Sequence, residues 1–284
     1  MFYLIYKPKG ISSFSCIRDF ARQHKIKKIG HTGTLDPLAS GLLLVATDEE
    51  TKLISYVANK NKTYITTIQF GKATSTYDSE GDITDTSTVK IKSNQVHDLL
   101  NWLSNQTTQI PPIFSAKKVD GVRSYDLARK NKAFQLKSQK ISVNNVKLID
   151  FDEKKQQLTV ELSVSNGTYI RSLANDLGLA FGTVSFMLEL ERIEISGLHK
   201  NLLSKKNYIA IINVLPLVEL GNIIVNNTQL ELLSKGQIID INADDGTYLL
   251  TSQNTQDMVL GIIVINQNKA KVKKLFGNRL FKKE

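Results

Sequence analysis

One carboxylate stands out because of its setting in the chain. Asp36 lies in residues 30–41, which read GHTGTLDPLASG, and a strongly apolar run begins at Leu42. A residue before a proline favours an extended backbone, and glycines allow tight turns and the close approach of a ligand. Such a loop can present a single carboxylate to a substrate, although an aspartate before a proline more commonly serves a turn.

The bulk composition excludes several other kinds of site. The chain has 284 residues, a formal net charge of +10, four scattered histidines and one cysteine, Cys16, so it can form no internal disulfide. A zinc site built from these residues is not expected, and neither a P-loop nor a dinucleotide fingerprint is present. We expect no membrane span and, by default, a cytoplasmic protein. A polyanionic partner is the leading explanation of the excess positive charge.

That positive charge is concentrated in residues 117–140. This block contains eight basic residues against Asp120 and Asp126, and aromatic residues are interleaved with them. A charge run of this kind is often only a solvated surface. The functional alternative is an electrostatic arm for RNA phosphates, in which Lys117, Arg123 and Arg129 would be RNA-binding residues.

Hydrophobic periodicity predicts a mixed α+β protein. Strands are expected at 2–6, 42–47, 64–70, 157–165 and 186–195, and helices at 14–24, 48–58, 94–104 and 167–179, with a polar loop at 74–85. The prolyl and glycyl residues around 215–221 indicate a domain boundary. Beyond it, strands at 236–241, 247–251, 259–266 and 270–276 predict a small β-rich module.

Five segments follow one another in a specific order: KPKG at 7–10, the Asp36 segment, KTY at 62–64 with FG at 70–71, PPIFSAK at 111–117, and GTYIRSL at 167–173. In this order they resemble the TruB-type tRNA pseudouridine synthases. The resemblance spans roughly residues 3 to 195. It implies a catalytic domain over residues 1–220, with a mixed sheet flanked by helices and an RNA-gripping thumb at about 112–140. Residues 221–284 would then form a PUA-like RNA-binding domain.

The resemblance also implies an activity. The family isomerises the uridine at position 55 in the T-loop of tRNA to pseudouridine, with the target base flipped into the site and with no cofactor or metal. An ionised Asp36 would attack ribose C1′, or stabilise positive character there while a glycal forms, or attack C6 of the base. We expect a monomer that acts on the T-arm without a guide RNA or a protein partner.

Individual roles follow residue by residue from the same resemblance. Arg171 would lie beside Asp36, lower its pKa and fix its conformation. Tyr64 would stack on the uracil, and Tyr169 would line the same pocket. His31 would contact the flipped nucleotides, and Lys7 would contact phosphate or support the Asp36 loop.

Asp78 matches an aspartate that helps to hold RNA, or it caps a turn. The sequence departs from the family pattern at Ser75, Phe114 and Glu191.

Two other readings remain open at this point. The protein could be a tRNA-folding chaperone whose role does not depend on catalysis, with the thumb and the C-terminal module doing the work. It could also be a pseudouridine synthase that depends on a guide RNA. The short segment before Phe2 and the basic block favour the stand-alone enzyme.

Overall fold

The computed structural model describes residues 1–115, 117–119, 121–124, 134, 136–204, 209–255 and 258–280. The strands in chain order are β1 (Phe2–Lys7), β2 (Ile29–His31), β3 (Ser40–Thr47), β4 (Lys62–Phe70), β5 (Lys72–Thr74), β6 (Ile83–Thr86), β7 (Thr108–Gln109), β8 (Lys118–Val119), β9 (Val122–Arg123), β10 (Gln139–Lys140), β11 (Val143–Asp152), β12 (Gln157–Val164), β13 (Ser185–Ile195), β14 (Leu198–His199), β15 (Ile209–Ile212), β16 (Gly221–Val225), β17 (Ile239–Asp240), β18 (Gly246–Ser252), β19 (Gly261–Asn266) and β20 (Lys269–Leu275). The α-helices are α1 (Ser13–Gln23), α2 (Val96–Ser104), α3 (Ile170–Ala180), α4 (Asn227–Ser234) and α5 (Gly277–Leu280), and 3-10 helices cover Asp48–Tyr56, Ser93–Gln95, Lys200–Leu202 and Leu215–Leu217.

A large mixed sheet forms the centre of the molecule. Its strand order is β11-β12-β4-β13-β3-β1-β15, with β2 paired to β3 and β14 paired to β13. The β13–β3 pair is parallel, and the other pairs along this path are antiparallel. The predicted α+β class with a mixed sheet flanked by helices is therefore confirmed.

The two faces of this sheet pack against different layers. Because successive strand residues point to opposite faces, Leu43 and Val45 of β3 lie in one apolar cluster with residues from α1, α2 and α3. Leu42 and Leu44 lie in a second cluster, which includes Leu249 of β18. The helices thus cover one face, and the C-terminal sheet contributes to the cover of the other.

The C-terminal sheet has the strand order β16-β18-β19-β20-β17. Its apolar cluster contains Leu233 of α4, an element that the sequence analysis did not predict. The prediction of strands and turns alone was therefore wrong for residues 227–234. The helix has an N-terminal capping box formed by Asn226 and Gln229, which was a recognisable sequence signal.

Three further predictions needed correction. The helix expected at 48–58 is a 3-10 helix over Asp48–Tyr56. The polar loop expected at 74–85 lies within the β5–β6 hairpin. The helix expected from Gly167 begins at Ile170, because Gly167 has a φ of +88° and α-helical residues need a negative φ.

Candidate active site

The loop that carries Asp36 is anchored at several points. The Ser13 hydroxyl accepts a hydrogen bond from the Leu35 backbone N–H and donates one to the Leu35 carbonyl, both at 2.8 Å. The Gly10 backbone N–H donates to the Pro37 carbonyl at 2.8 Å. The start of α1 and the turn after β1 therefore hold the residues on both sides of Asp36, so the carboxylate is presented by a fixed backbone.

Lys7 is part of this support. Its side chain is fully buried, and its ammonium donates to the carbonyls of Pro8 at 2.9 Å, Ile11 at 2.8 Å and Pro37 at 3.3 Å. All three ammonium hydrogens are thus committed to backbone carbonyls. Of the two roles that the sequence left open, these contacts correspond to support of the Asp36 loop, and a phosphate contact by Lys7 stays a prediction.

Arg171 lies between two carboxylates. Its Nη2 is 3.2 Å from Oδ2 and 3.3 Å from Oδ1 of Asp36, and its Nη1 is 3.7 Å from Oδ2 of Asp78. Arg171 is buried in the first turn of α3, whereas the Asp36 side chain is 35% exposed. Asp78 is itself buried and accepts hydrogen bonds from the Thr76 hydroxyl and the Glu80 backbone N–H.

The contacts of Asp78 correspond to one of the two roles expected for it and add an ion pair. The sequence allowed a role in holding RNA or a turn cap. The structure shows the turn cap together with the contact to Arg171. Asp78 is only 3% exposed, so in this structure its carboxylate faces the protein interior.

The pKa of Asp36 departs from the expectation in its direction. Burial raises the pKa of this carboxyl above its ordinary value, and the negative charge of Asp78 raises it further. The cations of Arg171 and Lys7 act in the opposite direction, as predicted for Arg171, but they do not outweigh burial. The predicted effect of Arg171 on the Asp36 pKa is therefore present, but burial is larger and the net direction is upward.

Asp36 and Arg171 line a pocket of about 390 Å³ together with Tyr64 and Tyr169. Tyr64 lies in β4 and is buried, and Tyr169 is the N-cap residue of α3. The amide side chain of Gln109 holds the Tyr169 backbone by two hydrogen bonds of 2.8 Å. The Tyr169 ring centroid is 5.8 Å from Cζ of Arg171, within cation–π range.

The rest of the pocket lining combines apolar and polar groups. Ile170, Met187 and Leu190 supply apolar surface beside the tyrosines, and Lys62 and Asn166 supply polar groups. Apolar walls with a few convergent polar groups are typical of a site for a small planar ligand such as a nucleobase.

A family model described as "TruB family pseudouridylate synthase (N terminal domain)" matches residues 21–170. The chain belongs to the TruB family of pseudouridylate synthases. Among its relatives, tRNA pseudouridine synthase B of Mycoplasma mobile is 42% identical over 283 residues, covering 99% of this chain and 96% of the relative. The protein of the same name from Aquifex aeolicus is 38% identical over 192 residues, covering 68% and 67% of the two chains. The predicted family and its enzyme class are confirmed.

Solved structures of the TruB fold agree with the architecture. The crystal structure of a Cbf5–Nop10–Gar1 complex matches with a TM-score of 0.64 at 18% identity, covering 96% of this chain and 84% of the matched chain. An H/ACA RNP bound to a substrate RNA containing 2′-deoxyuridine matches with a TM-score of 0.62 at 16% identity, covering 96% and 84%. At this identity, the likeness establishes the fold alone.

The structure brings together the four residues that the sequence analysis expected in the active site. Asp36, Tyr64, Tyr169 and Arg171 all line the same pocket. Their roles in the reaction are not decided by their positions and are taken up below.

The predicted RNA contacts are more dispersed. Lys117 is exposed next to the β8–β9 hairpin, while the side chain of Arg123 and the whole of Arg129 lie outside the described residues. His31 ends β2, and its Nδ1 is buried with no hydrogen-bond partner within the described part of the chain.

Two buried cations of this TruB protein were not identified as site residues from the sequence. Lys62 lies at the start of β4, and Arg192 lies in β13, directly opposite Tyr64 in the strand register. Neither was assigned a role from the sequence, since Arg192 fell within the strand predicted at 186–195 and Lys62 lay just before the strand predicted at 64–70. A signal was available, since Lys62 belongs to the KTY segment that carries Tyr64.

No three metal-ligating side chains gather to form a metal site within the described ranges. Across those same ranges, none of the helices has the length and apolar composition needed to cross a membrane.

Proposed function

We propose that the protein isomerises uridine to pseudouridine at position 55 in the T-loop of tRNA, with Asp36 as the catalytic carboxylate. The observation that carries this proposal is the position of Asp36. It is held at 3.2 Å from Arg171, in a pocket with two tyrosines, on a loop fixed from both sides. The relatives are named tRNA pseudouridine synthases, which supports tRNA as the substrate.

The chemistry of the reaction needs few groups. The N1–C1′ glycosidic bond breaks, the uracil turns, C5 bonds to C1′, and the proton lost from C5 is balanced by one gained at N1. The base never leaves the site, and no oxidant, reductant or energy source is consumed. One ionised carboxylate and a group that moves protons are sufficient.

Asp36 is suited to the central step. Partly exposed to the pocket, it can reach a ribose, and attack on C1′, assistance to a glycal and attack on C6 all begin from its ionised form. Arg171 favours that form against the burial that opposes it. Asp78 acts as a positioning residue, because it contacts the other end of the Arg171 guanidinium.

The tyrosines have complementary roles. Tyr64 stacks on the uracil and assists proton transfer, and Tyr169 closes the pocket beside Arg171. A uridine within a folded T-loop cannot reach this pocket without leaving its stack, so the target base is flipped into the site. The exposed basic thumb, whose described side chains include Lys117, attracts the RNA phosphates.

The experiment is site-mapped pseudouridine formation on an unmodified tRNA transcript. We expect wild type to form pseudouridine at position 55 and Asp36→Asn to form none while retaining tRNA affinity. Asp19→Asn is the matched control, because Asp19 is an exposed carboxylate that pairs only with Arg22 in the described structure. Full activity of Asp36→Asn would overturn the assignment of the carboxylate.

The stand-alone mode is tested on a naked T-arm hairpin. We expect a monomeric protein to modify the hairpin without a guide RNA or a protein partner. No reaction on the hairpin and on tRNA would favour the guide-dependent alternative. Rescue of tRNA folding by Asp36→Asn to the wild-type level would add a chaperone role that does not depend on catalysis.

A further inference from the structure

Two buried cations meet beside the Asp36 pocket. Lys62 is 7% exposed and Arg192 is completely buried. A side-chain carbon placed on Gly33 would lie 3.6 Å from Nη1 of Arg192 and 3.8 Å from Nζ of Lys62. Both charges therefore lie within 4 Å of one point, and we call Lys62 and Arg192 the cation pair.

Neither Lys62 nor Arg192 forms an ion pair with a carboxylate of the described residues within 4 Å. Arg192 donates from Nε to the Leu42 carbonyl at 2.7 Å and from Nη2 to the Gly33 carbonyl at 3.0 Å. Its Nη1 is buried with no partner in the described structure. Proteins rarely bury a charge without an opposite charge, so this arrangement is unusual.

Lys62 retains a free donor. Its ammonium donates to the Lys60 carbonyl at 2.9 Å and to the Asn166 side-chain oxygen at 2.8 Å. An ammonium has three hydrogens, so one of them has no partner within the described residues. Burial lowers the pKa of Lys62 to about 8, with further lowering by the charges of Arg192 and Lys60.

The cation pair opens into the pocket that holds Asp36. Lys62, Asn166 and Gly33 are all lining residues of that pocket. A side chain on Gly33 would approach Cε of Lys62 to 3.1 Å, tighter than ordinary contact. Glycine at this position therefore keeps the space between the pocket and the cations open.

We propose that the cation pair is a subsite for one RNA backbone phosphate at the flipped nucleotide, with Lys62 as the direct ligand and Arg192 behind it. The inference rests on the proposed function, since it takes the substrate to be an RNA. A phosphodiester supplies the negative charge that the described protein lacks here. A neutral ribose hydroxyl or uracil carbonyl would leave two buried positive charges uncompensated.

His31 is not favoured as a third positive charge here. Burial and the nearby Arg192 lower the pKa of its imidazole below the ordinary value, which disfavours the protonated ring. The subsite therefore carries two positive charges, and it differs from the exposed thumb in being shielded from salt.

The test asks whether the loss caused by removing the Lys62 charge and the loss caused by removing one phosphate charge depend on each other. T-arm hairpins are made with a single neutral methylphosphonate at each linkage around the target uridine. For wild type, we expect neutralisation of one linkage to lower kcat/KM by about tenfold or more, as for a charge-assisted hydrogen bond. For Lys62→Met, we expect a similar loss on the all-phosphate hairpin and little further loss at that linkage.

The matched control is Lys60→Met, which removes an equal charge from an exposed residue two positions away. This control is expected to keep the full penalty at the sensitive linkage. Lys62→Arg is expected to restore part of the penalty because it restores the charge. Additive losses at every linkage in Lys62→Met would overturn the inference.

Failure of the proposed function gives a different result. In that case wild type would leave the uridine of the all-phosphate hairpin unchanged. The same set of hairpins is therefore also measured for affinity, with Asp36→Asn and with Asp36→Asn/Lys62→Met. Loss of the linkage-specific penalty in the double variant supports the phosphate subsite, and equal penalties in both proteins contradict it.

Discussion

Arg171 and Arg192 are both buried beside the same pocket, but their charges are balanced differently. Arg171 contacts Asp36 and Asp78, one from each side. Arg192 contacts the carbonyls of Leu42 and Gly33 and has Lys62 as a neighbour. In the first arrangement the cation is paired with carboxylates of the protein and fixes a reacting group. The second carries excess positive charge, which is expected of a site that receives an anion.

Breaking the balanced arrangement should have the largest effect. In Arg171→Met, Asp78 becomes an unpaired buried carboxylate, so we expect unfolding free energy to fall by about 3–5 kcal/mol. We expect kcat/KM to fall by roughly a thousandfold, because Asp36 loses the cation that favours its ionised form. Denaturant unfolding and single-turnover assays measure the two effects.

A second variant separates charge balance from catalysis. Arg171→Met/Asp78→Asn removes the buried negative charge and should recover much of the stability without recovering activity. Arg22→Met is the control, since Arg22 forms an exposed ion pair with Asp19. An Arg171→Met protein with activity within tenfold of wild type would contradict the proposed contact in solution.

Removing a charge from the cation pair should change the free energy of unfolding in the opposite direction. The pKa of Lys62 is about 8 in the fold and has an ordinary value of 10.5, so the buried charged form costs roughly 3 kcal/mol. We expect Lys62→Met to be at least as stable as wild type at pH 7, by up to that amount, even though it loses activity. A stabilising change that reduces function would mark Lys62 as a binding residue.

The pH dependence of this effect has a definite sign. Below pH 8 the ammonium is charged in both states, and the full cost of burial applies. Between pH 8 and 10.5 the unfolded chain binds more protons, so wild-type stability rises with pH relative to Lys62→Met. The difference between the two proteins should therefore close over this window. A constant difference from pH 7 to 10.5 would contradict the lowered pKa.

The two arrangements also differ in how far the sequence could predict them. The Asp36 loop and Arg171 lie in segments with a specific pattern, and the structure brings them together as expected. Arg192 could not be found in this way, because its burial depends on the β13–β3 pairing. There, any side chain on Gly41 would collide with the Arg192 backbone. Local periodicity contains no information about such cross-strand contacts.

Lys7 and Asp78 also show that the sequence does not predict which charged residues are buried. The resemblance allowed contact with RNA for both, yet both are buried and bonded within the protein. Charged residues are usually exposed, so the sequence favours a surface role. Only the tertiary structure shows that the Lys7 ammonium meets three carbonyls and that Asp78 meets Arg171.

The raised pKa of Asp36 should produce a smaller effect, which is seen in the pH dependence of kcat/KM. Burial and Asp78 raise this pKa, so kcat/KM should fall on the acid side at a pH above the ordinary aspartate value of 3.8. We expect Asp78→Asn to move this acid limb to lower pH, because it removes a like charge. Glu153→Gln, at a half-buried carboxylate that pairs with Lys92 and Ser93 and is not among the groups that shift the Asp36 pKa, should leave the limb unchanged. A shift to higher pH in Asp78→Asn would contradict the assignment of the limb to Asp36.

The smallest effect is expected at the exposed thumb, where Lys117 contrasts with the buried Lys62. We expect Lys117→Met to weaken tRNA binding a few-fold and to reduce the steepness of log Kd against log salt by about 0.7–0.9, because fewer counterions are released. Its loss should be equal on all methylphosphonate hairpins, since an exposed lysine contacts phosphates without a fixed partner. A penalty confined to the linkage that couples to Lys62 would instead place Lys117 in the same subsite, and the contrast between a buried and a solvated phosphate contact would be lost.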